Sequence, residues 1–496
     1  MLFNSFQFLV FFPIVLFIYF IIPRKVRYIW LLLSSYYFYM CWNATYALLL
    51  FGSTLVTYLA ARGIYSWKEN EKVKKGFVAG SLLLNFGILF LFKYFAFVTE
   101  SIQKVLGKAG ISFEAPALDL LLPVGISFYI FQAVGYTIDV YRNRLVPDKN
   151  FLRYALFVSF FPQLVAGPIE RSTNLLPQIQ QVHQFKLWDP KRIQRGALIM
   201  IYGYILKMVI ADRAAIYVDL VYDPMTYSTY SGVQVLVAAV LFSLQIYCDF
   251  AGYTYIAIGA AKVMGFELMD NFKMPYLARN IKDFWDRWHI SLSSWFRDYL
   301  YFPLGGSKKG VFRKYVNIFI VFAVSGLWHG AAWHYVLWGA LHGILRILGE
   351  CTQGLREKIY ARLHVKRDTL ANAVWQTFCT FCLVTLAWMF FRGESVRQTV
   401  DLIKNMLSIW NPWVLSDGSL FALGLDAKEW NVLLLGGAFL MIVDLLRYKG
   451  VDLVEIFMKQ NLWFRWLLFY VGIFVIIIFG VYGAQYDASR FIYFQF

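Results

Sequence analysis

Acidic residues are scarce in this chain and cysteines scarcer: 30 Asp and Glu stand against 47 Lys and Arg, and only five cysteines occur in 496 residues. Five scattered cysteines (41, 248, 351, 379 and 382) are too few for a disulfide framework. Cys379 and Cys382 make one C-x-x-C inside an apolar run with no second pair, which reads as packing and not as zinc or redox chemistry. No G-x-S-x-G nucleophile motif is present, no repeat of 20 to 50 residues, and no low-complexity tract. The first apolar run lacks a basic leader and a small-residue cleavage site, so it is expected to stay as a permanent span. From Tyr315 to Leu345 there is no Asp, Glu, Lys or Arg at all.

What is present is apolar surface. Hydrophobic residues make up 59% of the chain and the mean hydropathy is +0.55, which points to one polytopic membrane unit instead of several soluble domains. Apolar runs fall at about 3 to 22, 28 to 41, 44 to 61, 77 to 98, 119 to 141, 196 to 211, 231 to 261, 315 to 345, 372 to 391, 430 to 446 and 463 to 483. With about 20 residues needed per crossing, they predict an all-α polytopic protein of about 10 to 13 membrane helices. The 315 to 345 run reads as two helices meeting at Gly330, and 151 to 169, interrupted by Pro162 and Pro168, as a broken or re-entrant segment.

The net charge of +17 does not point to nucleic acid, because the cations sit in short loops between spans. Arg24, Lys25 and Arg27, then Arg62 with Lys68 to Lys75, then Arg142 to Arg153, and finally Arg447 to Arg465 mark cytoplasmic loops. Threading the spans between them places both the N-terminus and the tail 484 to 496 on the extracytoplasmic side. The expected organisation is a catalytic membrane core over 1–349, a soluble basic loop at 350–371, C-terminal transmembrane helices over 372–483, and that tail.

Two histidines stand in tryptophan-rich, membrane-like sequence: His289 in Trp285-Asp-Arg-Trp-His-Ile-Ser and His329 in Gly326-Leu-Trp-His-Gly330. A titratable ring in a bilayer is costly and marks a functional site by default. Read as one helix, residues 279 to 301 place Ile281, Phe284, Trp285, Trp288, Leu292, Trp295, Phe296 and Tyr299 on one stripe, with His289 at its edge. An Asp286–Arg287 pair is expected to stiffen that helix. Gly326 and Gly330 allow a helix or ligand to approach His329 closely, and a neutral imidazole there suits a general base or proton relay. His334 and His342 follow at spacings of five and eight, which do not repeat one helix face as metal ligands would, so no metal site is expected. A base without a Ser or Cys nucleophile suits direct transfer of an acyl group from an activated ester to a hydroxyl.

Several segments carry a resemblance. They are Leu122-Pro-Val-Gly-Ile-Ser-Phe-Tyr, Phe161-Pro-Gln-Leu-Val-Ala-Gly-Pro-Ile-Glu, Asp249-Phe-Ala-Gly-Tyr, Asp283-Phe-Trp-Asp-Arg-Trp-His-Ile-Ser-Leu-Ser, Tyr299-Leu-Tyr-Phe-Pro-Leu-Gly-Gly and Gly326-Leu-Trp-His-Gly. With these the chain resembles the membrane-bound O-acyltransferase (MBOAT) family, in its bacterial alginate O-acetylation and D-alanyl transfer branch. The resemblance implies a ring of transmembrane and re-entrant helices around a central funnel, with His329 catalytic and His289 its partner. It implies no bound cofactor; the acyl donor would be acetyl-CoA or an acylated carrier protein on the cytoplasmic side. It also implies a bacterial cytoplasmic membrane location, surrounding lipids, and an extracytoplasmic SGNH-type acyltransferase or esterase as partner. The ending Phe491-Ile-Tyr-Phe-Gln-Phe496 resembles the F-x-Y-x-x-F acyl-carrying motif of D-alanylation, here fused, with Tyr493 as acceptor. An aromatic belt anchoring the last helix is the simpler reading of those six residues. Asp249 and Glu170-Arg171 read equally as cavity-lining and as helix-packing groups. Acetyl transfer for polysaccharide O-acylation is the expected activity; D-alanyl transfer to teichoic acid and transport of a lipid-linked intermediate are the alternatives.

Overall fold

A computed structural model describes residues 1–114, 120–165 and 167–482. Among the described residues there are helices and no strands. Seven helices among the described residues are long and apolar enough to cross a membrane: Tyr46–Ser66, Glu71–Lys108, Val233–Met264, Val311–His329, Leu370–Arg392, Ala427–Tyr448 and Leu462–Phe479. The apolar runs at 3 to 22, 28 to 41 and 119 to 141 form shorter helices, Phe6–Ile21, Arg27–Met40 and Ile126–Tyr141. The chain is an all-α, multi-pass membrane protein.

It divides into two compact units. The first comprises Met1–Met200 and Ile256–Met269. Its helices start where short polar side chains take up the leading N–H groups: Ser5 accepts from Phe8, Asn70 from Lys72 and Val73, and Asn150 from Leu152 and Arg153. Ile126–Tyr141 is buried along almost its whole length. Neighbouring helices meet it through polar contacts that spare backbone groups in lipid from exposure, among them Gln132 to the Phe157 carbonyl at 2.7 Å. As the prolines suggest, 151 to 169 is broken: Phe151–Ser159 ends and Phe161–Leu164 begins across an extended Phe160. Glu170 is buried there and accepts from the Met269 N–H and from Asn174 at 2.8 Å, holding the loop after the Met264 helix end.

The second unit comprises Ile201–Tyr255 and Asp270–Phe496. The uncharged run 315 to 345 folds as expected into a hairpin, Val311–His329 and Trp333–Cys351, turning at Gly330. Glycine makes this contact possible: a Cβ on Gly326 would lie 2.2 Å from the Tyr335 carbonyl oxygen, and one on Gly339 would lie 2.2 Å from that of Phe322. The expected loop at 350–371 contains a ten-residue helix, Gln353–Arg362, with no buried residue. Ala427–Tyr448 opens with a capping box between Asp426 and Glu429, and Leu462–Phe479 turns mostly exposed apolar residues outward, as a lipid-facing span does. Cys379 is half-buried and Cys382 exposed on Leu370–Arg392, with no disulfide.

Candidate active site

The segment carrying His289 departs from the continuous amphipathic helix expected over 279 to 301. It is broken into Ile281–Arg287, Ile290–Phe296 and a wider turn at Arg297–Tyr301. His289 sits at the break with φ of 44°, a left-handed conformation that a side chain with a Cβ adopts only when its surroundings hold it there. What holds it is Asn271. The Asn271 carbonyl takes the Ile290 N–H at 3.0 Å, and its side-chain oxygen takes the Ser291 N–H at 3.2 Å and the Ser291 hydroxyl at 2.9 Å. The stripe itself survives the break, because Phe284, Trp285, Trp288, Leu292, Trp295 and Phe296 are all buried. The expected Asp286–Arg287 pair is not formed: Asp286 lies 3.7 Å from Lys282, and Arg287 lies 2.6 Å from Asp283, each a helical turn away.

His289 is fully buried, with its Nδ1 3.1 Å from Asn271 Oδ1. A backbone N–H can only donate, so the Ser291 bond makes that Asn271 atom an acceptor, and His289 must present Nδ1–H to it. In the neutral ring the lone pair then sits on Nε2, the state a general base needs. Phe250 packs edge-on against the His289 ring at 4.7 Å.

His329 ends the first arm of the hairpin and is 3% exposed. Its ring centre is 6.3 Å from that of His289, so the fold brings the two sequence-predicted histidines together. Trp328, Trp338 and Phe391 surround it edge-on, at 4.9, 5.1 and 5.3 Å. His334 stands apart from the pair in role, donating from Nδ1 to the Phe390 carbonyl at 3.1 Å. His342 accepts the Trp285 indole N–H on Nδ1 at 3.3 Å. Among the described residues no three His, Cys, Asp or Glu side chains gather in a metal-binding group. Tyr493, the third candidate, lies outside the described residues.

A second polar cluster was invisible in the sequence as a pair. Lys207 is buried on the wide helical turn Ile205–Ala211, with its ammonium 2.5 Å from Asp249 and 2.8 Å from Asp212. Gly252 allows this approach, since a Cβ there would lie 2.8 Å from the Gly203 carbonyl oxygen, and Tyr253 places its ring 5.6 Å from the Lys207 ammonium. Asp249-Phe-Ala-Gly-Tyr thus supplies an ion-pair partner, a wall for His289, a close contact and a ring facing the cation. Lys207 and Asn271 carry no sequence signal of their own; each matters through a partner far away in the chain.

Residues 140–382 match the membrane-bound O-acyltransferase family. The probable alginate O-acetylase AlgI of Pseudomonas putida is 36% identical over 421 residues, covering 84% of this chain and 81% of that protein. This chain belongs to the membrane-bound O-acyltransferase family. The peptidoglycan O-acetyltransferase of Helicobacter pylori is 34% identical over 405 residues, 77% of this chain and 74% of the relative. The teichoic acid D-alanyltransferase of Bacillus subtilis is more distant, 27% identical over 340 residues, 66% of this chain and 81% of that one. The chain is accordingly a membrane O-acyltransferase, a family that works with acyl donors rather than a metal cofactor.

Proposed function

We propose that this MBOAT protein moves an acetyl group from a cytoplasmic thioester, through Tyr493, to an extracytoplasmic protein that O-acetylates a cell-envelope polysaccharide. The observation that carries the proposal is the buried histidine pair, 6.3 Å apart, with His289 locked by Asn271 in the tautomer that leaves Nε2 basic. The printed names of the alginate and peptidoglycan relatives favour acetyl and polysaccharide over D-alanyl and teichoic acid.

In this reading His329 takes the phenolic proton of Tyr493 as the phenol oxygen attacks the thioester carbonyl. The C–S bond then breaks and the thiolate leaves with a proton, while His289 positions the donor or relays the proton. The order of leaving groups is sensible: a phenol of pKa about 10 leaves less readily than a thiol of about 8.5, and more readily than a sugar hydroxyl. The source of the thioester, acetyl-CoA or an acylated carrier protein, is a matter of the cytoplasmic docking surface.

The last described residues are tied beside the core, with Val481 N–H on the Met208 carbonyl at 3.0 Å and Arg213 on the Phe479 carbonyl at 2.8 Å. Tyr493 follows Tyr482 by 493 − 482 = 11 residues, an extended reach of up to about 35 Å. The loop charges support a bacterial cytoplasmic-membrane location with this tail outside, where an SGNH-type transferase or esterase would take the acetyl group.

The test is intact-peptide mass spectrometry of the C-terminal fragment, from cells lacking the extracytoplasmic partner so that the intermediate accumulates. An acetyl adduct on Tyr493 in the wild type and not in His329→Ala is expected. Normal polymer acetylation by a Tyr493→Phe protein would refute the carrier role, since that change removes one oxygen and keeps the ring.

A further inference from the structure

The hairpin arm that follows His329 carries two buried N–H donors the scheme above does not use. Trp338 and His342 are both fully buried on Trp333–Cys351, four residues and so one helical turn apart. The indole N–H of Trp285 can only donate, so His342 Nδ1 is an acceptor and the neutral ring carries its proton on Nε2. This is the opposite tautomer to that of His289. Neither His342 Nε2 nor Trp338 Nε1 has a hydrogen-bond partner among the described residues. Buried donors of this kind call for an explanation in a native fold, and one is a ligand that brings the acceptor.

Their position says which acceptor. The Trp338 ring centre is 5.1 Å from that of His342 and 5.1 Å from that of His329, and its face is covered by Trp388, stacked at 5.3 Å. The pair therefore stands beside the histidine at which acyl transfer is proposed, in surroundings that are aromatic and shielded from water. We propose that Trp338 Nε1–H and His342 Nε2–H form a two-donor site for the carbonyl oxygen of the acyl group in transit. The inference rests on the acyl-transfer reading and adds the group that meets the charge: as the phenol oxygen adds to the carbonyl carbon, the C=O π electrons move to that oxygen, which the two N–H groups stabilise until the C–S bond breaks and the C=O re-forms. Donors fixed in a dry site before the charge appears are worth far more than donors in water.

The experiment uses the full chain in membrane vesicles supplied with radiolabelled acetyl-CoA and cytosolic extract, so that either thioester source is present. Acid-precipitable acetyl is counted whatever its acceptor. Trp338→Phe keeps an aromatic ring and removes the N–H; a fall of about tenfold to a thousandfold in maximal rate, at unchanged KM for acetyl-CoA, is expected. A smaller fall, or a change in KM in its place, overturns the site. His342→Asn and His342→Gln separate donor from support. The shorter amide can still accept from Trp285 near the Nδ1 position, whereas the longer one sets an N–H near the Nε2 position. Greater loss in Asn than in Gln supports the donor role; the reverse order means that His342 serves only to hold Trp285. A wild-type protein that transfers no acetyl overturns the acyl-transfer reading itself, and the inference with it; an active wild type with unaffected variants overturns the inference alone.

Discussion

The two histidine-bearing segments reach the same place by different means. His329 ends a helix whose partner is the next element in the chain, and the contact is built locally by Gly326 and Gly339. His289 sits in a backbone break that its own sequence does not encode; the break exists because Asn271, 18 positions upstream, captures Ile290, Ser291 and the His289 ring. A site can thus combine one residue placed by helix packing with another placed by a single side chain. The first arrangement should fail through sterics and the second through chemistry.

The largest effect tests whether the two positions are equal in function. His329→Ala should lower acyl transfer by at least about a hundredfold, the worth of a general base, while His289→Ala should leave measurable transfer if its task is support. Quantifying polymer acetyl groups in both variants decides this, and equal loss would erase the distinction.

The next prediction strikes the hairpin. Gly339→Ala puts a methyl group 2.2 Å from the Phe322 carbonyl oxygen, so it should destabilise the protein by about 1–3 kcal/mol. Gly349→Ala on the same helix meets nothing within 4 Å and should be neutral or slightly stabilising. Thermal melting in detergent compares the two; similar melting temperatures would show that the close approach is not needed.

Asn271 provides the chemical counterpart. Asn271→Ala should lower transfer about tenfold in a protein that still inserts. Asn271→Asp keeps an acceptor for the His289 ring and the Ser291 N–H. A carboxylate stabilises the imidazolium, so the basic form would appear only at higher pH, and the acidic limb of the pH–rate profile should move to the alkaline side. An unmoved profile would mean that His289 does not titrate in the reaction.

The smallest expected effect concerns the start of the broken segment. Asn280 caps Ile281–Arg287 by accepting the Asp283 N–H at 2.9 Å, and Asn280→Ala should cost about 1 kcal/mol with little change in transfer rate. Strong loss of activity would show that the short helix must hold its register for His289 to be placed.

Much of this was legible in the chain because membrane physics leaves few choices. Long uncharged runs must be helices, so the hairpin with its turn at Gly330 and the break within 151 to 169 could be read directly. The buried stripe from Ile281 to Phe296 was also readable, since a 3.6-residue period survives one distorted residue. What could not be read was where that stripe breaks, because the break is set by hydrogen bonds to Asn271 and not by a proline or glycine in the segment. The expected Asp286–Arg287 pair does not form for a related reason: neighbours in sequence point apart on a helix, and Asp286 and Arg287 each reach a residue one turn earlier.

The sequence by itself determined that this is a multi-pass helical membrane protein, which family it resembles and which two histidines stand as candidates, because apolar length and local motif are properties of contiguous residues. Only the tertiary structure decided that the His289 and His329 ring centres lie 6.3 Å apart, that Asn271 and Trp285 set opposite tautomers in His289 and His342, and that Lys207 joins Asp249 and Asp212. Those facts depend on hydrogen bonds and ion pairs between distant parts of the chain, whose directions exist only once the helices have packed.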